Sequence, residues 1–242
     1  MKTITEETIA EMVREDYRTA KIFKKYNIDF CCKGNISLEA ICLEKNIDTE
    51  KIRAELTALQ KSKQNRDIDY NSWHLDLLAN YIEKKHHRYV EETTPTLKSF
   101  LDKICSVHGN KHPELFQINK LFHESAGEFA VHMKKEELII FPFIRKMVAA
   151  ETAKKGMEKP SFGSIEDPIE MMKHDHVVEG ERFEKIAALS NNYTPPADAC
   201  NTYKVTFALL KEFEEDLHLH VHLENNILFP KAIELEKKFD HG

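Results

Sequence analysis

Two histidines and two glutamates occupy matched places in a stretch that the chain repeats. Residues 132–142 read HMKKEELIIFP and residues 220–230 read HVHLENNILFP. Both copies begin with His, carry Glu at the fifth place, and end in Phe-Pro. Helical positions i and i+4 lie about 40° apart around the axis and roughly 6 Å along it. The imidazole and carboxylate of one pair can therefore grip a single cation, or the carboxylate can bridge two. One such pair is an ordinary feature of a solvated helix surface. Two copies in matching surroundings are different. Phe129, Ile139, Phe143 and Met147 recur at helical steps around His132 and Glu136. Phe213, Leu217, Ile227 and Leu228 do the same around His220 and Glu224. Both pairs then sit inside apolar stripes, where an unpaired charge costs several kcal/mol or is neutralised.

Each copy is preceded by further histidines. KKHHRYV supplies His86 or His87, and KHDHVVEGE supplies His174 or His176. His87 lies 45 residues before His132, and His176 lies 44 before His220. A pseudo-twofold helical bundle would gather four imidazoles and two carboxylates at its centre, a donor set for two metals. Imidazole and carboxylate without thiolate favour iron or manganese over structural zinc. Familiar di-iron bundles carry Glu-x-x-His, so His-x-x-x-Glu is a related but different geometry. Glu128 and Asp216 each stand four residues before a repeat histidine. They are candidates to accept from those imidazoles or to ligate as well. His74, His108, His112, His123, His218, His222 and His241 share no such pattern.

Four long helical segments must position these residues. Segment A covers about 73–104, with Ser72 as N-cap and Pro95 expected to kink or break it. Segment B covers about 113–150. Segment C starts at DPIE, where Asp167 can cap, Pro168 suits the first turn and Glu170 closes a capping box; it runs to about 189. Segment D covers about 198–237. Loops between them predict an all-α, antiparallel four-helix bundle over 73–242. A small helical N-terminal domain over 1–62 precedes it, with helices near 5–16, from Ser37 and after Asp48. The polar tract around 63–72 reads as a linker. In segment A, Leu75, Leu78, Ala79 and Ile82 centre the apolar stripe. A regular wheel places His86 nearer its middle than His87.

The bulk composition narrows the function. The 242 residues hold 35 Lys and Arg against 41 Asp and Glu, a net charge of −6, which speaks against a nucleic-acid surface. The longest apolar run, 138–144, is too short for a membrane span, and the first residues lack the apolar core of a signal peptide. Five cysteines do not suggest a disulfide scaffold, and a cytoplasmic location is expected. Cys31 and Cys32 are adjacent. Their Cα atoms are about 3.8 Å apart, below the usual disulfide span, so a bond between them would be strained and readily reduced. Cys42, Cys105 and Cys200 read as structural.

The chain resembles the repair-of-iron-centres proteins, and its bundle resembles the haemerythrin-like di-iron domain. The stretches that carry the resemblance are FKKYNIDFCCKG (23–34), LANYIEKKHH (78–87), HMKKEELIIFP, MMKHDHVVEGE (171–181), NNYTPPADAC (191–200) and HVHLENNILFP. The family ligand that closes a Leu-x-x-x-Ile-x-x-x-x-His pattern falls on His87. The resemblance therefore implies the ligand set His87, His132, Glu136, His176, His220 and Glu224. It implies two non-haem irons, carboxylate-bridged, with an oxo or hydroxo bridge. It also implies a redox or docking role for Cys31 and Cys32.

The implied function is repair, by iron donation, of iron–sulfur proteins damaged under nitrosative or oxidative stress. Two other readings suit the same bundle: a module that binds or senses O2 or NO, and a di-iron enzyme that reduces NO. A histidine-rich bundle with adventitious zinc is the deflationary reading. The short N-terminal helices are expected to pack on the bundle or on a second chain, which would make a homodimer.

Overall fold

Four stretches of helical apolar periodicity become four rods, over residues 75–108, 114–152, 166–189 and 201–240 of a computed structural model that describes residues 7–61, 68–157 and 160–240. Among the described residues the chain is helical, with a single isolated β-bridge between Thr8 and Ser37.

Three of the rods change pitch where the chemistry lies. The first consists of α5 (Leu75–Tyr81), a π-helical turn (Ile82–His87) and α6 (Arg88–His108). The second consists of α7 (Glu114–Lys135), a π-turn (Glu136–Ile140) and α8 (Phe141–Thr152). The third is α9 (Glu166–Leu189). The fourth consists of α10 (Asn201–Leu223), a π-turn (Glu224–Leu228) and α11 (Phe229–Asp240). Two of these π-turns are followed at once by Phe-Pro. Proline lacks an N–H, and its ring crowds the carbonyl four residues back. A wide turn just before Pro142 and Pro230 relieves that crowding.

Several expected boundaries shift. Helix α6 continues through Pro95, which lies on its exposed side, instead of breaking there. Ser72 closes a short 3-10 turn, and α5 begins at Leu75 without a side-chain cap. The capping box expected at Asp167 and Glu170 is not formed, because the helix starts two residues earlier, with Ile165 at the N-cap. Glu236, on the last rod, accepts from the Ile165 N–H (2.9 Å) and the Ser164 hydroxyl (2.7 Å) instead.

The N-terminal part contains α1 (Ile9–Glu15), α2 (Thr19–Lys25), α3 (Leu38–Glu44) and α4 (Thr49–Lys61). Thr8 and Glu11 form a reciprocal capping box on α1, and Ser37 caps α3. Helix α2 has no side-chain cap to announce it in the sequence. Of the expected linker, residues 63–67 lie outside the described residues. Tyr70, just beyond them, is buried against Trp73 and Tyr81.

The core forms two apolar clusters. One joins the N-terminal helices to half of the bundle, bringing Ile9, Phe23, Leu38 and Ile52 together with Leu97, Phe122, Phe183 and Phe207. The other fills the opposite end with Leu78, Ile82, Phe141, Met147, Ile169 and Phe229. Along every rod the candidate ligands fall where one cluster gives way to the other. His87 lies between Ile82 and Val90, His176 between Met172 and Phe183, and His220 and Glu224 between Leu217 and Ile227. The bundle thus encloses a buried polar band.

Candidate metal centre

Six side chains meet in that band, each at most 2% exposed: His87, His132, Glu136, His176, His220 and Glu224. They form two groups of potential donors. His87, Glu136, His220 and Glu224 make one; His132, Glu136, His176 and Glu224 make the other. Both glutamates belong to both. Glu136 presents Oε2 to His87 Nε2 at 3.3 Å and Oε1 to His132 Nε2 at 3.4 Å. Glu224 presents Oε1 to His220 Nε2 at 3.0 Å and Oε2 to His176 Nε2 at 3.2 Å. Each carboxylate therefore spans from one imidazole pair to the other. His174 is exposed and takes no part.

The π-turn at 82–87 settles which of the adjacent histidines in the first rod joins the group. One extra residue in the turn advances the rod so that His86 and His87 are both buried, and His87 meets Glu136. A wheel of constant pitch cannot foresee this. His86 donates from Nδ1 to Asp216 at 2.9 Å and stacks on His220, with ring centroids 5.6 Å apart. Asp216 thus accepts from an imidazole, but from His86 and not from the repeat histidine on its own rod. Glu128 is exposed and pairs with Arg182 at 3.0 Å; it reaches no imidazole of the group because it projects from the outer side of α7.

The acceptors that orient the imidazoles lie elsewhere. His87 Nδ1–H donates to Glu137 at 2.9 Å, His132 to Asp175 at 3.2 Å and His176 to the Asn225 amide oxygen at 2.9 Å. Each acceptor is the chain neighbour of a group member and reaches across to another rod. Glu137 and Asn225 occupy the same place in the two repeats, directly after the glutamate. That equivalence was a usable signal in the sequence.

These hydrogen bonds put the proton of three rings on Nδ1 and leave Nε2 bare. His132 Nε2 and His176 Nε2 lie only 3.0 Å apart. Two bare lone pairs at that distance repel unless a proton or a cation stands between them. His87 Nε2, both Glu136 oxygens and Glu224 Oε2 are buried without a hydrogen-bond partner. Buried polar atoms are rarely left so, and a cation would supply what they lack.

The electrostatics agree. Burial works against charge on His132, yet Glu136, Glu224 and Asp175 lift its pKa to about 9. His87 is also raised, because Glu136, Glu224 and Glu137 outweigh burial. Burial lowers His220. Glu224 falls well below the usual carboxylate range, since His220 and His176 overcome the cost of burying it. The centre is built to hold positive charge.

Aromatic rings wall it. The Phe of each Phe-Pro lies face-on to an imidazole: Phe141 on His87 at 5.5 Å, Phe229 on His176 at 6.2 Å. Phe129 stacks on His132 at 5.1 Å. A cleft of about 440 Å³ between α7 and α9 opens from the surface to His132, with Glu128, Lys135, Asp175 and Glu179 along it.

The thiol pair stands against the same band. Cys31 is buried and Cys32 partly exposed; both are free, with sulfurs 3.7 Å apart. Asp29 Oδ1 accepts from the Cys31 N–H (2.9 Å), the Cys32 N–H (3.0 Å) and the Cys31 thiol (3.2 Å). Asp29, Cys31 and Cys32 form a third small group of possible donors. Cys42 and Cys105 are buried, whereas Cys200 is exposed beside His108.

The sequence also matches known families. Residues 78–232 match the haemerythrin HHE cation-binding domain, and residues 5–60 match the ScdA N-terminal domain, a domain of unknown function. A Haemophilus influenzae protein described as "Probable iron-sulfur cluster repair protein" is 33% identical over 96% of this chain and 98% of its own. The iron-sulfur cluster repair protein ScdA of Staphylococcus haemolyticus is 33% identical over 94% and 99%. The iron-sulfur cluster repair protein YtfE of an Enterobacter species is 34% identical over 94% and 97%. No helix among the described residues is long and apolar enough to cross a membrane.

Proposed function

Because the chain belongs to the haemerythrin-type iron–sulfur cluster repair family, we propose that it carries two non-haem irons in its buried band and donates iron to iron–sulfur proteins damaged by nitrosative or oxidative stress. The observation that carries the reading is the convergence of four imidazole Nε2 atoms on two buried glutamates that each face both imidazole pairs, with His132 Nε2 and His176 Nε2 only 3.0 Å apart. His87 and His220 would hold one iron, His132 and His176 the other. Glu136 and Glu224 would bridge them alongside an oxo or hydroxo group. When bound, such a pair would supply electrons to small oxidants such as O2 or NO.

The residues determine how firmly the metal is held. Nitrogen and oxygen donors bind ferrous iron less tightly than thiolates do, which suits a donor more than a store. The cleft beside His132 gives the His132–His176 side a route to the surface. His132, raised to about 9, takes up a proton when its cation leaves, so the vacated pair of nitrogens is not left repelling. The aromatic walls exclude water from the remaining faces. A cytoplasmic location fits the family and the donor role.

A repair assay tests the reading. Iron-loaded protein is mixed with a cluster enzyme inactivated by NO or peroxide, with free ferrous iron held by a chelator. Recovery of the enzyme is expected. No recovery, under conditions where unchelated ferrous salt restores it, contradicts iron donation.

A second reading rests on the donor count. Each group offers two imidazoles and carboxylate oxygens, at most four protein donors, which leaves room for O2 or NO. Reversible NO or O2 spectra without iron loss would favour binding or sensing. Turnover with an electron donor would favour NO reduction.

A further inference from the structure

The two repeats differ at the residue after the shared glutamate: Glu137 in one, Asn225 in the other. Both accept the Nδ1–H of a group imidazole, each at 2.9 Å. A carboxylate has nothing more to offer, but an amide has a donor to spare. Asn225 directs that donor at the backbone carbonyl of Cys31, 3.2 Å away. The next residue, Asn226, donates to the Phe30 carbonyl at 3.3 Å. From the other side, the Cys32 thiol donates to the backbone carbonyl of His176 itself at 3.4 Å. The thiol turn is thus fastened to both partners of one hydrogen bond inside the candidate centre.

Packing makes the fastening tight. Gly180, one turn after His176, lies beside the Cys32 sulfur: a Cβ built there would already be in van der Waals contact with it at 3.7 Å. Gly34 cannot carry a side chain, because a Cβ would collide with the Phe30 carbonyl that Asn226 holds. Any group added to Cys32 loses the bond to the His176 carbonyl and needs the space against Gly180. Cys32 is the more accessible sulfur of the pair. It is partly exposed in a cleft of about 340 Å³ with Arg14 and Lys173. Cys31 is buried, and its thiol is kept protonated by the Cys32 sulfur, by burial and by Asp29.

We propose that Asn225 is a positioning residue that links the thiol turn to the His132–His176 side of the centre, so that modification of Cys32 loosens the cation held there. The coupling is one-sided, because His87 is oriented by Glu137, which touches no part of the turn. This rests on the metal-centre reading above.

The test is ferrous-iron affinity by anaerobic chelator competition, before and after alkylation with iodoacetamide, with the adduct located on Cys32 by mass spectrometry. Alkylation should weaken binding of one of the two irons by about fivefold or more, the lower range of site-to-site coupling. The informative variant is Asn225→Asp. Its carboxylate still accepts from His176, as Glu137 does from His87, but cannot donate to Cys31. It should bind two irons and lose the effect of alkylation. Asn225→Leu should weaken iron binding without any modification. If alkylation leaves the affinity of the unsubstituted protein unchanged, or weakens Asn225→Asp as much, the linkage is wrong while the centre stands. If no iron binds to the unmodified protein, the centre reading fails and takes the linkage with it.

Discussion

At His132 a proton and the proposed cation would compete for one nitrogen. Its pKa, raised from 6.5 to about 9, means that the metal-free protein carries the proton at neutral pH. Metal uptake must displace it. Uptake near pH 7 should therefore release protons, and affinity should rise as pH climbs towards 9, then level off. Calorimetry in buffers of different ionisation enthalpy reads the release directly. In the metal-free protein the sign for stability is opposite. The attraction of protonated His132 for Glu136 is fully present below pH 6.5 and is lost as pH rises through about 9. The depressed Glu224 contributes above its ordinary range and loses its contribution as pH falls. His132, Glu136, His220 and Glu224 were legible because type, spacing and repetition agreed, whereas His87 and His176 were singled out from their neighbours only by the family resemblance. The orienting partners were not legible. The sequence pointed four residues upstream, to Glu128 and Asp216, because neighbours on one helix face are easy to infer. Glu137, Asp175 and Asn225 each cross to a different rod, and which rod they reach is a property of the packing.

The π-turns do at the element scale what no ligand can do alone. Each inserts one residue beyond the regular pitch at the depth of the polar band. Deleting Lys84, an exposed member of the first turn, should restore regular pitch and leave His87 at the angle it now has, because the residue removed is the one the wide turn absorbs. The expected result is two irons still bound, with little change in helical circular dichroism. A fall to one iron would show that the wide turn itself, and not only the angle it gives His87, is needed. Phe-Pro marked two of these turns in the sequence. The third has no proline near it, which is why the wheel favoured His86.

For the whole molecule, family matches over 5–60 and 78–232 suggest two units, but one apolar cluster runs across the division. Phe23 is fully buried in that cluster. Phe23→Ala should cost about 3–5 kcal/mol and lower the melting temperature of the whole chain, in a single calorimetric transition. Two separate transitions, with only the first displaced, would mean that the N-terminal helices fold on their own. The four-rod plan was legible from periodicity and loops. The docking of the short helices was not, because their apolar faces specify burial without naming the surface that covers them.

The most direct test of the central claim is iron content with a Mössbauer spectrum, on the unsubstituted chain and on Glu136→Ala/Glu224→Ala. The account requires two irons per chain in a magnetically coupled pair, both lost in the double variant while the helices remain. One zinc, no metal, or iron that survives removal of both glutamates would contradict it.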